Sequence, residues 1–420
     1  MLHTDPDAIA ARIPDFLFTF SRVFRDAGYQ AVLVGGAIRD IVLGSDPGDF
    51  DFASDARPDQ VMQLFPSVIP TGIQHGTVTV RFHTQSIEVT TFRIDGTYTD
   101  QRRPDSVAFS DNLEDDLQRR DFTMNALAVR LPECSIIDTT GGLADIQARC
   151  IRAIGNPHDR FAEDSLRIWR GLRFASRLGF HIEPCTLQAM QDQAPGVHTV
   201  AAERIREEWI KLLQGAYFDS AVTRAAEIGI LDTVLPFQEI STDELADVCT
   251  RMRSDCTHPI DWQWRYACLL TADCRKQAAK TDELSRYLQK RRYSRQEVSE
   301  IMHKVRSILM PQTISARRYL HLLQGADYYS VNWARYTLGL PVLDSDQLEH
   351  LDKELNRGVV YGPADLSVTG KDLIEALDQP PGPWIGDLLA RLVACVVEHP
   401  ELNTTGMLLD AAKSLHDECT

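Results

Sequence analysis

The sequence lacks the features of several protein classes. No run of about 18 apolar residues occurs, so we expect no membrane-spanning helix. The opening stretch MLHTDPDAIAARIPDF carries acidic residues and no apolar segment, which is not the pattern of a signal peptide. The nine cysteines are scattered, without a C-x-x-C pair, so they predict reduced thiols in the cytoplasm and argue against a zinc site.

Positive charge is also scarce. The chain has 44 lysines and arginines against 60 aspartates and glutamates, for a net charge of −16. A uniformly acidic surface repels phosphates, so nucleic-acid binding requires basic residues gathered on one face. The acidic excess includes Asp111, Glu114, Asp115 and Asp116. The candidate basic face comprises the arginines at positions 149, 152, 160, 167, 170, 173 and 177.

The hydrophobic pattern changes along the chain. At 420 residues the protein is long enough for roughly two to four domains. Short strands are predicted at residues 31–36, 49–54, 77–82 and 86–92, and a helix begins near residue 38. From about residue 158 onward the periodicity is helical. The sequence therefore predicts an α+β fold with its sheet near the N-terminus.

Asp49 and Asp51 are the first candidates for chemistry. In a strand, side chains two positions apart point to the same face, so these carboxylates are predicted to converge. Adjacent carboxylates repel unless a cation lies between them, and oxygen ligands suit Mg²⁺. A D-x-D pair alone is weak evidence, because it also suits a solvated strand end, so the surrounding motifs decide between the two.

A glycine pair precedes these aspartates. Gly35 and Gly36 open the segment GGAIRD at residues 35–40, where the predicted helix begins. Glycine lets the backbone approach a triphosphate, the helix N-terminus supplies donors, and Arg39 adds a charged fork. No G-K-[ST] follows, so the segment is not a Walker phosphate-binding loop.

Together these elements resemble the head motif of a known family. They are similar to the class II tRNA nucleotidyltransferases and bacterial poly(A) polymerases of the polymerase-β-type superfamily. The strong matches span residues 33–213, and a moderate match covers residues 363–412. The further motifs are EVTTFR at 88–93, RRDFTMNALA at 119–128, EDSLR at 163–167, RFASRLGF at 173–180 and AERIREE at 202–208.

The resemblance implies a polymerase-β-like mixed-sheet nucleotidyltransferase head followed by an all-α neck, body and tail. It implies an enzyme that builds or repairs the 3′-terminal CCA of tRNA from CTP and ATP, releasing pyrophosphate. Mg²⁺ is the implied cofactor, tRNA is the implied partner, and no obligate protein partner is evident. The corresponding parts are the head at residues 1–152, the neck at 153–218, the body at 219–335 and the tail at 336–420.

Residues of the head take roles from the resemblance. Asp49 and Asp51 resemble the metal-binding carboxylates, and Glu88 is the candidate third carboxylate, with a solvated strand glutamate as the alternative. The glycine turn and Arg39 resemble the triphosphate contacts.

The RRDF motif resembles a nucleotide-binding segment. Arg120 resembles a nucleotide contact, and the resemblance makes Asp121 and Asn125 candidates for contacts at the ribose. The alternative for this motif is a surface turn in which Asp121 caps a helix over residues 122–129.

Asp164, Arg167, Arg170 and Arg173 recur every three residues and are predicted to form a stripe on one helical face. An ordinary surface salt bridge between Asp164 and Arg167 is the alternative. The resemblance favours nucleotide recognition instead. Cytosine and adenine both present an amino donor beside a ring-nitrogen acceptor, which a carboxylate and a guanidinium can match. Uracil and guanine present the inverse pattern, so protein side chains would act as the template.

A polar stretch at residues 93–118 separates two of these motifs. In the family, a flexible loop at this position is thought to help the pocket change from CTP to ATP. We therefore expect residues 96–108 to serve addition of the final A. The alternative is that the stretch only covers the sheet edge.

Three other functions stay open. A poly(A) polymerase would use the same chemistry, although TGIQHGTVTV at residues 71–80 is more like the tRNA enzymes. An enzyme that adds only CC or only the final A belongs to the same family. A catalytically dead RNA-binding module is a non-enzymatic alternative, but the intact pair of Asp49 and Asp51 argues against it.

Overall fold

The computed structural model describes residues 2–95, 107–237, 239–254, 260–274, 281–311 and 313–417. Contacts within the chain divide it into two units. Unit 1 comprises Met1–Gln238 with Lys290–Arg292, and unit 2 comprises Glu239–Gln289 with Tyr293–Thr420. The four predicted parts are finer than this division and stay predictions. Residues 96–106 of the predicted nucleotide-switching loop lie outside the described residues.

Unit 1 is built on a mixed sheet. Its strands are β1 (Ala31–Val34), β2 (Asp51–Ser54), β3 (Val68–Gly72), β4 (Thr77–Phe82), β5 (Gln85–Thr91), β8 (Leu127–Arg130) and β9 (Ser135–Asp138). They are ordered β3-β4-β5-β2-β1-β8-β9, and only the β2–β5 pair within this sheet is parallel. Separate ladders join β6 (Arg93–Asp95) to β7 (Val107–Phe109) and β10 (Cys150–Ile151) to β11 (His181–Ile182). The apolar β1 is buried along its whole length, as suits a strand near the middle of a covered sheet.

The helices of unit 1 pack around this sheet and continue beyond it. They are α1 (Pro6–Ala10), α2 (Asp15–Asp26), α3 (Gly36–Val42), α4 (Pro58–Leu64), α5 (Leu113–Gln118), α6 (Gly142–Gln147), α7 (Pro157–Glu163), α8 (Leu166–Leu178), α9 (Pro184–Asp192), α10 (Ala202–Leu213) and α11 (Phe218–Ile228). The amphipathic α8 buries Ile168, Trp169 and Leu172, and it packs against α10 and α11. It ends at Gly179, whose φ of +66° is a left-handed conformation that favours glycine.

Unit 2 is helical in its described part. Its helices are α12 (Thr242–Ser254), α13 (Trp262–Cys274), α14 (Thr281–Lys290), α15 (Arg295–Leu309), α16 (Ala316–Leu323), α17 (Tyr328–Thr337), α18 (Ser345–Asn356), α19 (Gly370–Leu377), α20 (Trp384–Glu398) and α21 (Thr405–Asp417). Leu373, Leu392 and Leu408 form an apolar centre for the last three of these helices. Among the described residues, no helix is both long and apolar enough to cross a membrane.

The predicted α+β fold with a mixed-sheet head is confirmed, with two local corrections. The helix considered over residues 122–129 is wrong, because Thr123–Asn125 form a 3₁₀ turn and β8 follows, paired with β1 and β9. The predicted all-α neck also contains β11, which pairs with β10 across the predicted boundary at residue 152.

Candidate active site

A cavity of about 580 Å³ lies in unit 1, lined by residues of β1, β2, β5, α3, α8, α10 and neighbouring connecting segments. Every residue that the sequence nominated for the site lines it. These are Gly35, Gly36, Arg39, Asp49, Asp51, Glu88, Arg120, Asp121, Asn125, Asp164, Arg167, Arg170 and Arg173. The structure therefore brings the separate motifs together, while the role of each residue stays a prediction.

One end of the cavity is acidic. Asp51 begins β2 and pairs in register with Glu88 of β5. Asp49 lies two residues before the strand, so the prediction of both aspartates within one strand is wrong. The reason is that pairing with β1 begins at Asp51, opposite Val34. Desolvation in the cavity and the charge of Glu88 raise the pKa of Asp51 to about 6, with a smaller contribution from Asp49 and an opposing one from Arg120.

This acidic group fits a divalent cation that is bound jointly with phosphates. A cation relieves crowded carboxylates, and Mg²⁺ typically takes one or two of them while waters and substrate phosphates complete its shell. Within the part of the chain that the structure describes, no three His, Cys, Asp or Glu side chains form a metal-binding group. Two aspartates, with waters and substrate phosphates completing the shell, would suit such an ion, and the roles of Asp49, Asp51 and Glu88 stay predictions.

The glycine turn lies beside this acidic end. Gly35 follows β1 with a φ of +79°, and a Cβ atom at this position would lie 3.2 Å from Arg120 Nη1. Arg39, on the helix that begins at Gly36, is buried rather than projecting. Its Nε and Nη2 donate to Asp40 Oδ1 at 2.9 and 2.7 Å, and its Nη1 donates to Asn125 Oδ1 at 2.6 Å. Much of the charged fork predicted for a triphosphate is thus occupied by protein groups.

Asp121 of the RRDF motif is buried, and its carboxylate contacts three neighbouring groups. It accepts hydrogen bonds from the Phe122 backbone N–H at 2.8 Å and from Asn125 Nδ2 at 3.1 Å. Arg170 forms an ion pair with it, with Nε 2.7 Å from Oδ2. Burial alone would raise the pKa of Asp121, but Arg170 and the hydrogen bonds outweigh it and lower the pKa to about 2.

The predicted stripe is wrong at its first member. Asp164 lies in the break between α7 and α8 with an extended backbone, and it is not part of either helix. Nor does it pair with Arg167, the alternative considered from the sequence. It accepts from Arg204 of α10 at 2.7 and 3.3 Å, whereas Arg167 donates to Glu163 at 2.5 Å and to the Arg160 carbonyl at 2.9 Å. The two template candidates are therefore held by different partners.

The rest of the stripe lies on α8 and forms a charged network. Glu208 of α10 is buried, with Oε2 3.1 Å from Arg173 Nε and Oε1 3.9 Å from Arg170 Nη1. The Arg173 guanidinium lies 4.1 Å from the centre of the Phe174 ring, and burial lowers the pKa of Arg173 to about 10. Sequence reasoning missed Glu208 and Arg204, although both belong to the AERIREE motif.

The seven-arginine cluster is not a bare basic face. Each of its members from Arg152 onward forms an ion pair with a carboxylate, which corrects the interpretation from sequence. Arg177 has the most exposed side chain of these six arginines, and its Nη2 still donates to Asp40 Oδ2 at 2.9 Å. The positive charge of this region is therefore smaller than a count of arginines suggests.

Family profiles match three stretches of the chain. Residues 31–152 match the "Poly A polymerase head domain". Residues 179–241 match the "Probable RNA and SrmB- binding site of polymerase A", and residues 276–412 match "tRNA nucleotidyltransferase domain 2". The first of these stretches contains the sheet and the acidic end of the cavity.

Whole-chain comparisons agree with these profiles. The chain is 34% identical over 392 residues to the CCA-adding enzyme of Leuconostoc citreum, covering 93% of this chain and 94% of that enzyme. It is 35% identical to the CCA-adding enzyme of Enterococcus faecalis, covering 92% of each. The structure of the Bacillus stearothermophilus CCA-adding enzyme in complex with CTP is similar with a TM-score of 0.75 and 30% identity, covering 96% of this chain and 98% of that one.

Proposed function

The chain belongs to the CCA-adding enzyme family, and from this membership we propose how the cavity of unit 1 extends the 3′ end of tRNA. It takes CTP and ATP, adds the terminal CCA and releases pyrophosphate. The observation that carries the proposal is that one cavity has both an acidic end and a wall lined with arginines. The acidic end formed by Asp49 and Asp51 suits a cation, and the arginine-lined wall suits nucleotide phosphates and bases.

Enzymes of this family generally use a divalent metal, and we propose that Asp49 and Asp51 hold Mg²⁺. The bound ion would stabilise charge that develops on the attacking and leaving oxygens. Arg120 and the glycine turn lie next to this position and receive the triphosphate. Asp121 and Asn125 support this wall and are the candidates for contacts to the ribose.

Base selection rests on Asp164 and Arg167. The Asp164 carboxylate accepts from the exocyclic amino group of cytosine or adenine, and the Arg167 guanidinium donates to the adjacent ring nitrogen. Uracil and guanine would place acceptors and donors in the wrong order. Because Arg204 and Glu163 hold the two side chains separately, the pair can present fixed recognition groups without a nucleic-acid template.

We also propose a cytoplasmic location. The described cysteines are free thiols, as expected in a reducing compartment: Cys134, Cys150, Cys185, Cys249, Cys268, Cys274 and Cys395. Fractionation of cells that express the tagged protein, with a secreted disulfide protein as marker, tests this assignment.

One assay tests the function and its alternatives. The protein is given tRNA transcripts that end before the first C, after one C or after CC, with CTP, ATP or both, and the 3′ ends are sequenced. A full CCA-adding enzyme produces CC with CTP alone and CCA with both nucleotides. Runs of A on every transcript would instead identify a poly(A) polymerase, and a stop after CC or activity only on CC ends would identify a split enzyme. Binding of tRNA without incorporation would identify a catalytically dead module.

A further inference from the structure

Asp116 is a buried acid that holds both arginines of the RRDF motif. It lies on α5, and its side chain is fully buried. Its Oδ1 accepts from Arg119 Nε at 2.9 Å and Nη2 at 2.6 Å, and its Oδ2 accepts from Arg120 Nη2 at 3.0 Å. From sequence this residue counted only toward the acidic excess, and no role was assigned to it.

The ion pair with Asp116 fixes the position of the Arg120 guanidinium. With Nη2 held, Arg120 Nη1 reaches the glycine turn, 3.2 Å from the position that a Cβ atom on Gly35 would occupy. Asp116 does not itself line the cavity, although both of its arginine partners do.

The same arrangement of one acid with two arginines recurs around the cavity. Asp40 pairs with Arg39 and Arg177, and Glu163 pairs with Arg160 and Arg167. Each such group keeps one net positive charge while its acid fixes the direction of two guanidiniums. A buried carboxylate is costly unless it is paired, which argues for a positional role of Asp116 rather than a chance location.

We propose that Asp116 is a positioning residue for nucleotide binding, which holds Arg120 against the glycine turn where the triphosphate of either CTP or ATP is received. The proposal rests on the proposed function. Because the triphosphate is common to both substrates, Asp116 acts on the affinity for nucleotide and leaves the choice of base unchanged.

Asp116→Asn keeps the size of the side chain and removes its charge. We expect it to raise KM for CTP and ATP alike by about tenfold, the scale of one lost charge-assisted hydrogen bond, with a smaller change in kcat. The preference for CTP over UTP should stay as in the unmodified protein. Glu114→Gln is the matched control, because it removes an exposed carboxylate from the same helix, and it should change neither constant.

The decisive comparison uses Arg120. If Asp116 acts through Arg120, Asp116→Asn should raise KM by less than about twofold in an Arg120→Gln background, since residues acting as a unit are not additive. The proposal is overturned if the double variant raises KM by the product of the two single effects. It is also overturned if Asp116→Asn alone leaves KM unchanged. If Asp116→Asn does not fold, the variant that also carries Arg119→Gln removes one of the two guanidiniums that bind Asp116 and must show the same rise in KM. Failure of the unmodified protein to add C or A would overturn the proposed function instead.

Discussion

Arg204 holds both carboxylate oxygens of Asp164, with Nη2 2.7 Å from Oδ2 and Nη1 3.3 Å from Oδ1. Asp164 lies between two helices, and its Oδ1 also accepts from the Leu166 backbone N–H at 3.1 Å. A guanidinium that contacts both oxygens reinforces this orientation, and Oδ2, which accepts from Arg204 alone among the described residues, keeps a lone pair for a base. In the proposed role of Asp164 as a base contact, Arg204 is the side chain that holds its carboxylate in place.

Arg204→Gln should relax the choice of base more than it lowers the rate with CTP. Without the bidentate contact, the Asp164 carboxylate can turn, and we expect the preference for CTP over UTP to fall by about tenfold, as for one lost base-edge contact. Incorporation of each nucleotide into tRNA ending before the first C measures this ratio. Lys211→Gln on the same helix is the control, and equal selectivity in the two variants would show that Arg204 is only structural. Asp164→Ala should lose at least as much selectivity as Arg204→Gln.

The close packing of α8 against the segment that follows α10 predicts a stability effect. A Cβ atom at Gly215 would lie 2.0 Å from Ser176 Oγ and 2.6 Å from the Ser176 carbonyl group, so the backbones of two segments would have to separate. Gly215→Ala should therefore lower the free energy of unfolding by about 1–3 kcal/mol. Gly386→Ala is the contrast, because open space surrounds that helical position and alanine is favoured by up to about 1 kcal/mol. Urea denaturation followed by circular dichroism compares them; equal midpoints would contradict the predicted clash.

The Asp121–Arg170 ion pair predicts a dependence of stability on pH. Because the pKa of Asp121 is lowered to about 2 in the folded protein, its contribution is full above the unfolded pKa near 3.9 and is lost as the pH falls toward 2. The stability advantage of the unmodified protein over Asp121→Asn should thus shrink by about 1 kcal/mol between pH 6 and pH 3. Urea denaturation at several pH values measures it. Asp59→Asn, which changes an exposed aspartate, is the control, and a gap that widened on acidification would contradict the assignment.

Much of the site was predictable because its residues lie in short motifs. Glycines before a helix, a D-x-D pair and regularly spaced arginines each have a chemical meaning, and their order along the chain matched one family. The parallel pairing of Asp51 with Glu88 also agrees with the choice of Glu88 as a neighbour of the aspartates.

The errors arise because the pattern of residues along the chain does not show which segments pair or pack in three dimensions. Periodicity does not reveal where strand pairing begins, so Asp49 was placed in β2, and it does not reveal a two-residue break between helices, so Asp164 was placed on α8. Ion pairs between residues far apart in sequence, such as Arg204 with Asp164, depend on the packing of helices. Counting charges along the chain therefore overestimated the basic face and assigned the buried Asp116 no role beyond the acidic excess.

The acidic end of the cavity gives the sharpest test of the chemistry. Asp49→Asn and Asp51→Asn each keep the shape of the side chain but remove a charged oxygen ligand, so the stabilisation of charge in the transition state is lost. This should lower the rate of C and A addition by about a thousandfold or more, a loss of several kcal/mol. Binding of tRNA should change little, because neither aspartate attracts phosphates by itself.

Asp46→Asn is the matched control for these two variants, since Asp46 lies three residues before Asp49 and its carboxylate is fully exposed. It should retain the rate of the unmodified protein. Single-turnover incorporation and gel-shift binding with the same tRNA separate chemistry from binding. Raising the Mg²⁺ concentration should partly restore Asp49→Asn or Asp51→Asn if the defect is weakened metal binding, because mass action then refills the site. Near-normal turnover by either variant at low Mg²⁺ would remove that aspartate from the metal site, whereas equal loss of turnover and tRNA affinity would indicate a folding defect instead.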